Sequence, residues 1–165
     1  MAGIVVLGLD PGSLVTGYGV VNEVSGRLSL VAAGTIRTQA KAPLCERLAK
    51  IYTGLSTIIT EHQPNEAAME DVFTAKSPQS ALKLGQARGA AMAACGVAGL
   101  HVSGYEPTKV KKSLVGTGRA EKGQVSFMVA RLLGEKENWA VDAGDALAVA
   151  ICHLNMRRMT RLAGL

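Results

Sequence analysis

The sequence predicts an α/β fold, a mixed five-stranded sheet flanked by helices, in one domain spanning residues 1–165. Three observations predict it. Residues 4–9 (IVVLGL) form an unbroken apolar run that stops on Asp10-Pro11-Gly12, the pattern of a strand buried on both faces. Two β-rich stretches follow with Ser25-Gly26 between them, which reads as an antiparallel meander. Beyond them, strand-length apolar segments alternate with helix-period segments, with no repeats or low-complexity tracts.

Taken in order, the first strand ends on Asp10. A charge at the tip of a buried strand costs desolvation energy unless a partner or cation compensates it, so Asp10 is either a turn-former or a metal ligand. Thr16 to Val24 is the second strand, with Gly17 and Gly19 leaving room for a close approach to the backbone. Leu28 to Ile36 is the third. Pro43 opens a helix in which Leu44, Leu48, Ile51, Leu55 and Ile58 share one face; it stops near His62-Gln63-Pro64. Asn65 to Phe73 is the fourth strand, tipped by Glu70 and Asp71. Ser77-Pro78 starts a long helix to about Cys95, with Leu82, Gly85, Gly89 and Ala93 forming a small-residue stripe. Leu100 to Tyr105 is the fifth strand. Pro107 to Leu133 reads as two short helices parted by Gly116-Thr117-Gly118. A loop at Asn138-Trp139 leads to a last helix from Val141 to about Arg161. The first strand, the most continuously apolar, is expected at the centre.

Composition excludes a disordered chain: 48% of the 165 residues are hydrophobic and 19% charged. The net charge is +5, from 18 basic and 13 acidic residues. Four acids gathered around metal would leave nine, and an outer surface of about +9, suited to a polyanion. Cys45, Cys95 and Cys152 have no CxxC and no His at zinc spacing, and read as buried free thiols in a reducing cytoplasm. No signal peptide is expected at the N-terminus. The most lipid-like stretch, Gly89 to Leu100, is too short to span a bilayer, so a cytoplasmic protein with no membrane partner is expected.

The chemistry lies in the carboxylates. Asp142 and Asp145 are one turn apart on a helix face that continues through Val149, Cys152 and Met156, so both point inward. Complementing the helix dipole would explain that pair alone, at ~0.3–1 kcal/mol. Asp10 and an acid at the tip of the fourth strand change the balance, because four inward carboxylates repel one another unless cations sit among them. Hard divalent ions with oxygen ligands answer that need, Mg²⁺ foremost. Two ions ~3.5–4 Å apart stabilise the attacking and leaving oxygens of an in-line phosphoryl displacement. Zinc-ligand spacing and a P-loop are both absent from the sequence. Strand period does not choose between Glu70 and Asp71, which face opposite ways.

Four blocks, GLDPGSLVTGYGVV, MEDVFTAKSPQSALKLGQARG, VKKSLVGTGRAEKGQV and DAGDALAVAICH, together resemble the RuvC family of Holliday junction resolvases. The resemblance covers Ile4 to His153, with the blocks in family order. It implies a ribonuclease H-like fold and a homodimer that nicks two strands of like polarity across a four-way DNA junction in recombination and repair. It matches the family's catalytic and metal-binding acids to Asp10, Glu70, Asp142 and Asp145, and so selects Glu70 over Asp71. Asp10 would bridge two Mg²⁺ ions, with Mn²⁺ as a substitute, and the other acids would complete their shells. By the same matching Lys122 would stabilise transition-state charge, Lys111 would grip a nearby phosphate, and Phe73 would stack on junction bases. Lys76, Lys83, Lys109, Lys112 and Arg119 are further DNA contacts expected from charge. The helix carrying Gly85, Gly89 and Ala93 resembles the family's dimer interface. A branch-migration motor complex is a further implied partner. Leu14 stands where many relatives carry a basic residue, which removes one phosphate contact. Arg157, Arg158 and Arg161 are assigned to the helix C-terminus, and His62, His101 and His153 to structure.

Three competing readings remain. An actin-like ATPase or sugar-kinase domain shares the first hairpin but needs about twice the length and does not predict Glu70 with Asp142 and Asp145. A junction-binding protein without nuclease activity is opposed by the intact acid set. A ribonuclease H-like enzyme cutting RNA in a hybrid is opposed by the four blocks.

Overall fold

The computed structural model describes residues 3–71 and 77–164. The expected order holds: β1 (Ile4–Asp10), β2 (Val15–Val24), β3 (Arg27–Arg37), α1 (Leu44–His62), β4 (Glu66–Glu70), α2 (Pro78–Val97), β5 (Val102–Tyr105), α3 (Pro107–Val115), α4 (Lys122–Leu133) and α5 (Val141–Leu162). The strands form one sheet in the order β3-β2-β1-β4-β5, with β1 at its centre. β1 to β3 are the antiparallel meander, whereas β4 pairs parallel with β1 and β5 parallel with β4. The largest boundary difference is in β4, which ends at Glu70 rather than Phe73, while β5 starts at Val102 rather than Leu100. Asp71 still donates its N–H to the Tyr105 carbonyl at 2.7 Å.

The sheet divides two apolar cores. On one face α5 lies across the strands with α3 and α4 beside it, enclosing Val6, Ala68, Leu147, Ile151 and Leu154. On the other, α1 and α2 cover Leu7, Leu9, Val20, Ala67 and Met69. The alternation along β1 follows from the strand's two-residue period. Val6, Gly8 and Asp10 face α5, while Leu7 and Leu9 face the helical pair. Because α5 is sandwiched between sheet and short helices, Ala146 to Leu154 is buried without a break.

What approaches Gly17 and Gly19 is α5 itself. A Cβ on Gly17 would meet the Asp142 carbonyl, one on Gly8 the Ala146 carbonyl, and one on Gly19 the Leu147 side chain at 2.6 Å. The paired glycines, Gly8 opposite Gly19 and Gly17 opposite Asp10, form a seam that lets helix backbone rest on strand backbone. Gly12 is needed by its own turn, where an added Cβ would meet the Val15 carbonyl. There Thr16 is fully buried and its hydroxyl donates to the Gly12 carbonyl at 3.0 Å.

Cys95 and Cys152 are buried free thiols, but Cys45 is exposed in the first turn of α1, on the side away from the core. His153 is structural: its Nδ1 meets the Tyr105 hydroxyl at 2.8 Å and its Nε2 the Glu66 carboxylate at 2.6 Å. Arg157 pairs with Glu66 at 3.1 Å and Arg158 with Glu23 at 3.2 Å, so these arginines fasten α5 to the sheet. Among the described residues no helix is long and apolar enough to cross a membrane.

Candidate active site

Asp10 and Glu70 end neighbouring parallel strands. The register runs Val6 to Glu66 through Leu9 to Met69, and one further step sets Asp10 beside Glu70 at the interstrand spacing of about 4.8 Å. Both belong to the face covered by α5, since Glu66, Ala68 and Glu70 alternate with Ala67 and Met69. Asp71 faces the other way, toward α2, where its carboxylate meets Arg88 Nη2 at 3.0 Å. Register therefore distinguishes two adjacent acids that the sequence pattern leaves equivalent.

Asp142 and Asp145 come from the first turns of α5, directly over the seam. Asp142 has its backbone against Gly17, the residue paired with Asp10. Asp145 turns into a cavity of about 200 Å³ lined by Asp10, Glu70, Lys111, Lys122, Val125, Ala148 and Val149. Lys122, at the start of α4, reaches Asp145 Oδ2 at 2.9 Å. Trp139 packs beneath Gly144, whose missing side chain gives the indole its place under the helix start.

The electrostatics are those of an undercompensated acidic cluster. Burial, then the carboxylates of Asp145, Asp142 and Glu70, push the Asp10 carboxyl up to about 7, against the opposing pull of Lys122. Glu70 is raised by burial and by Asp145, with Lys111, Lys122 and Arg88 pulling the other way. The hydrogen bond to Asp145 raises the Lys122 ammonium above its usual value. Lys122 alone thus fails to neutralise the field at Asp10. The all-oxygen donor set and the unrelieved charge fit hard divalent cations. Among the described residues no three His, Cys, Asp or Glu side chains already converge on one point. Asp10, Glu70 and Asp145 rim a shared cavity.

The other sequence-predicted residues divide by place. Lys111 lines the cavity, whereas Lys109 and Lys112, on the same short helix, line a separate groove with Asn155, Met156, Arg158 and Met159. Arg119 is exposed on the turn between α3 and α4, Lys83 is exposed on α2, and Leu14 is exposed beside the first turn. Gly85, Gly89 and Ala93 lie on the solvent face of α2, where a Cβ on either glycine would meet nothing. Phe73 and Lys76 lie outside the described residues. A larger cavity of about 610 Å³ opens at the opposite end of the sheet around Glu23, Glu66, Arg157 and Arg161, and contains none of the four acids. Sequence reading missed Arg88, although it stands inside a quoted block, because a lone Arg on a helix carries no signal of its partner.

A family model described as crossover junction endodeoxyribonuclease RuvC matches residues 6–153. This chain belongs to the RuvC family. A crossover junction endodeoxyribonuclease RuvC of Oleidesulfovibrio alaskensis is 62% identical over 98% of this chain and 96% of its own. The solved RuvC of T. thermophilus in complex with a Holliday junction substrate superposes with a TM-score of 0.90 at 34% identity, covering 94% of this chain and 96% of that one. The yeast mitochondrial Holliday junction resolvase shares the fold, with a TM-score of 0.69 at 12% identity over 94% of this chain and 80% of its own. The chain thus has a ribonuclease H-like fold, as its sequence resemblance implied, and family membership makes it a nuclease.

Proposed function

We propose that this RuvC chain resolves Holliday junctions as a homodimer, through metal-dependent nicks placed symmetrically in two strands of like polarity. The observation that carries the reading is the assembly of Asp10, Glu70 and Asp145 from three separate elements around one cavity that also holds Lys111 and Lys122, with Asp142 one turn before Asp145 on α5. Divalent cations, two Mg²⁺ per subunit with Mn²⁺ as a substitute, would be held by those four acids. When bound they supply a Lewis acid that activates water and neutralises the leaving oxygen.

The chain's own groups do the rest. Asp10, on the central strand and acted on by the other three carboxylates, would hold the cations together with Glu70, Asp142 and Asp145, in competition with the proton that its raised pKa favours. Lys122, held by Asp145, is placed to stabilise charge building on the phosphate being cut. Lys111, across the cavity, grips a neighbouring phosphate. Phe73 stacks on junction bases. Lys76, Lys83, Lys109, Lys112 and Arg119 extend the positive surface for the DNA arms. Leu82, at 63% exposure, and Met92, at 48%, flank the exposed Gly85, Gly89 and Ala93 on α2. That apolar face is suited to a second copy of the chain, and a branch-migration motor is a further partner.

The reading is tested by offering the purified protein a synthetic four-way junction, a linear duplex and an RNA–DNA hybrid, each with Mg²⁺ or EDTA. Paired nicks in the junction alone, lost in EDTA, are expected. Cleavage of the hybrid in preference to the junction, or nicking unaffected by EDTA, would overturn it.

A further inference from the structure

We infer that Arg88 is a positioning residue for Glu70, acting from the opposite face of the sheet. This rests on the assignment of Glu70 as a metal ligand and adds the means by which its strand tip is held.

The need arises from Pro11. In the parallel ladder, Val6 opposite Glu66 and Gly8 opposite Ala68 alternate their backbone bonds between strands. Continued by one pair, that ladder aims the Glu70 carbonyl at the N–H of residue 11, and proline has none. The last carbonyl of β4 therefore lacks its strand partner at the point where the side chain is required to hold position.

Arg88 fills the gap. Its Nη1 donates to the Glu70 carbonyl, and its Nη2 donates to Asp71 Oδ1 at 3.0 Å. Asp71 is itself fastened. Its N–H reaches the Tyr105 carbonyl, and its carboxylate lies over Gly104, where an added Cβ would meet Asp71 Cγ at 2.7 Å. The guanidinium fork thus grips two consecutive residues at the tip of β4, one by its carbonyl and one by its side chain. A planar, two-pronged donor does this and a lysine does not. Arg88 never enters the cavity, whose lining residues come from the other face of the sheet. A structural role alone would cost stability and nothing else. A positioning role predicts something more specific, weaker metal binding with unaltered DNA binding.

The test measures Mn²⁺ binding to the full-length protein, with a phosphorothioate-blocked junction present, from the electron paramagnetic resonance of free Mn²⁺. Junction affinity, thermal stability and single-turnover cutting are recorded beside it. For Arg88→Gln the Mn²⁺ dissociation constant should rise by about 10- to 100-fold, the range found when groups that orient metal ligands are removed. Junction affinity should stay within about twofold, and excess Mn²⁺ should restore part of the cutting. Arg88→Lys should recover less than half of the lost metal affinity on a logarithmic scale. Wild-type Mn²⁺ affinity in Arg88→Gln overturns the proposal, whatever happens to stability. If that variant does not fold, Asp71→Asn replaces it, and unchanged metal affinity there overturns the proposal equally. Failure of the underlying assignment would show first in the reference samples, as Mn²⁺ binding by wild type that Glu70→Gln leaves unchanged.

Discussion

Gly17→Ala tests whether the glycine seam sets the geometry of the site. The added methyl would lie closer than 3.0 Å to the Asp142 carbonyl and at 3.0 Å from the Ala143 nitrogen, against at least 3.4 Å for ordinary contact. Both obstructing groups are backbone, so no side-chain rotation relieves the overlap. Strand and helix must part, and the start of α5 moves by something on the order of 1 Å. Overpacking of this kind costs ~1–3 kcal/mol, a fall in melting temperature of roughly 3–10 °C for a chain this long. The catalytic cost should be larger in proportion. Asp142 and Asp145 ride on the displaced turn, and a misplacement of about 1 Å is worth roughly 10²-fold in rate. The assay is single-turnover cleavage of a four-way junction at saturating Mg²⁺, with melting measured on the same samples and junction binding measured in EDTA. Gly19→Ala is the companion, since its methyl meets the Leu147 side chain at 2.6 and 2.7 Å and that residue's nitrogen at 2.9 Å, two pairs further from Asp10. It should lose comparable stability and no more than about tenfold in rate. Equal rates for Gly17→Ala and wild type, in a variant that melts lower, would refute the claim that the seam sets the position of the acids.

Other expectations follow from the charges and exposed faces. Asp10 is raised to about 7 from 3.8, so the metal-free folded state holds a proton that the unfolded chain has released. Its stability should therefore fall as pH rises from about 4 to about 7, by up to a few kcal/mol, and the loss should be complete above that window. Asp10→Asn should flatten this dependence in melting scans with EDTA and abolish cutting, while leaving junction binding nearly intact; a persistent slope would place its origin elsewhere. Lys122→Ala should change stability by less than about 1 kcal/mol, because its bond to Asp145 is largely solvent-exposed, yet slow cutting by ~10²–10³-fold. A rate loss below about fivefold would remove Lys122 from the transition state. Gly89→Arg should fold normally, since the side chain enters open space, but sediment as a monomer and fail to make paired nicks. An unchanged dimer would place the subunit interface on another face.

Much of this protein was legible because its signals are local. The apolar run ending on Asp10, the Ser25-Gly26 turn, and the helix period from Leu44 to Ile58 each specify their element from neighbouring residues. Gly26 at φ +84° and Gly116 at φ +85° mark turns that few other residues would adopt. The inward face of α5 was legible too, because Val149 and Cys152 continue the row that Asp142 begins. The family blocks carried the identity of the acids.

The rest depends on contacts between segments distant in sequence. No local pattern states that Gly17 and Gly19 open a seam for α5, since a glycine reports the absence of a side chain and not what fills the space. The parity of β4 against β1 puts Glu70 in the cavity and Asp71 beside Arg88, a result of strand register that two adjacent acids cannot encode by themselves. Lys111 and Lys112, adjacent on α3, part company for the analogous helical reason: one lines the acidic cavity and the other a separate groove. The sequence by itself determined which residues are candidates for the chemistry. The tertiary structure decided how far apart they sit and which way they point, because those depend on backbone packed against backbone.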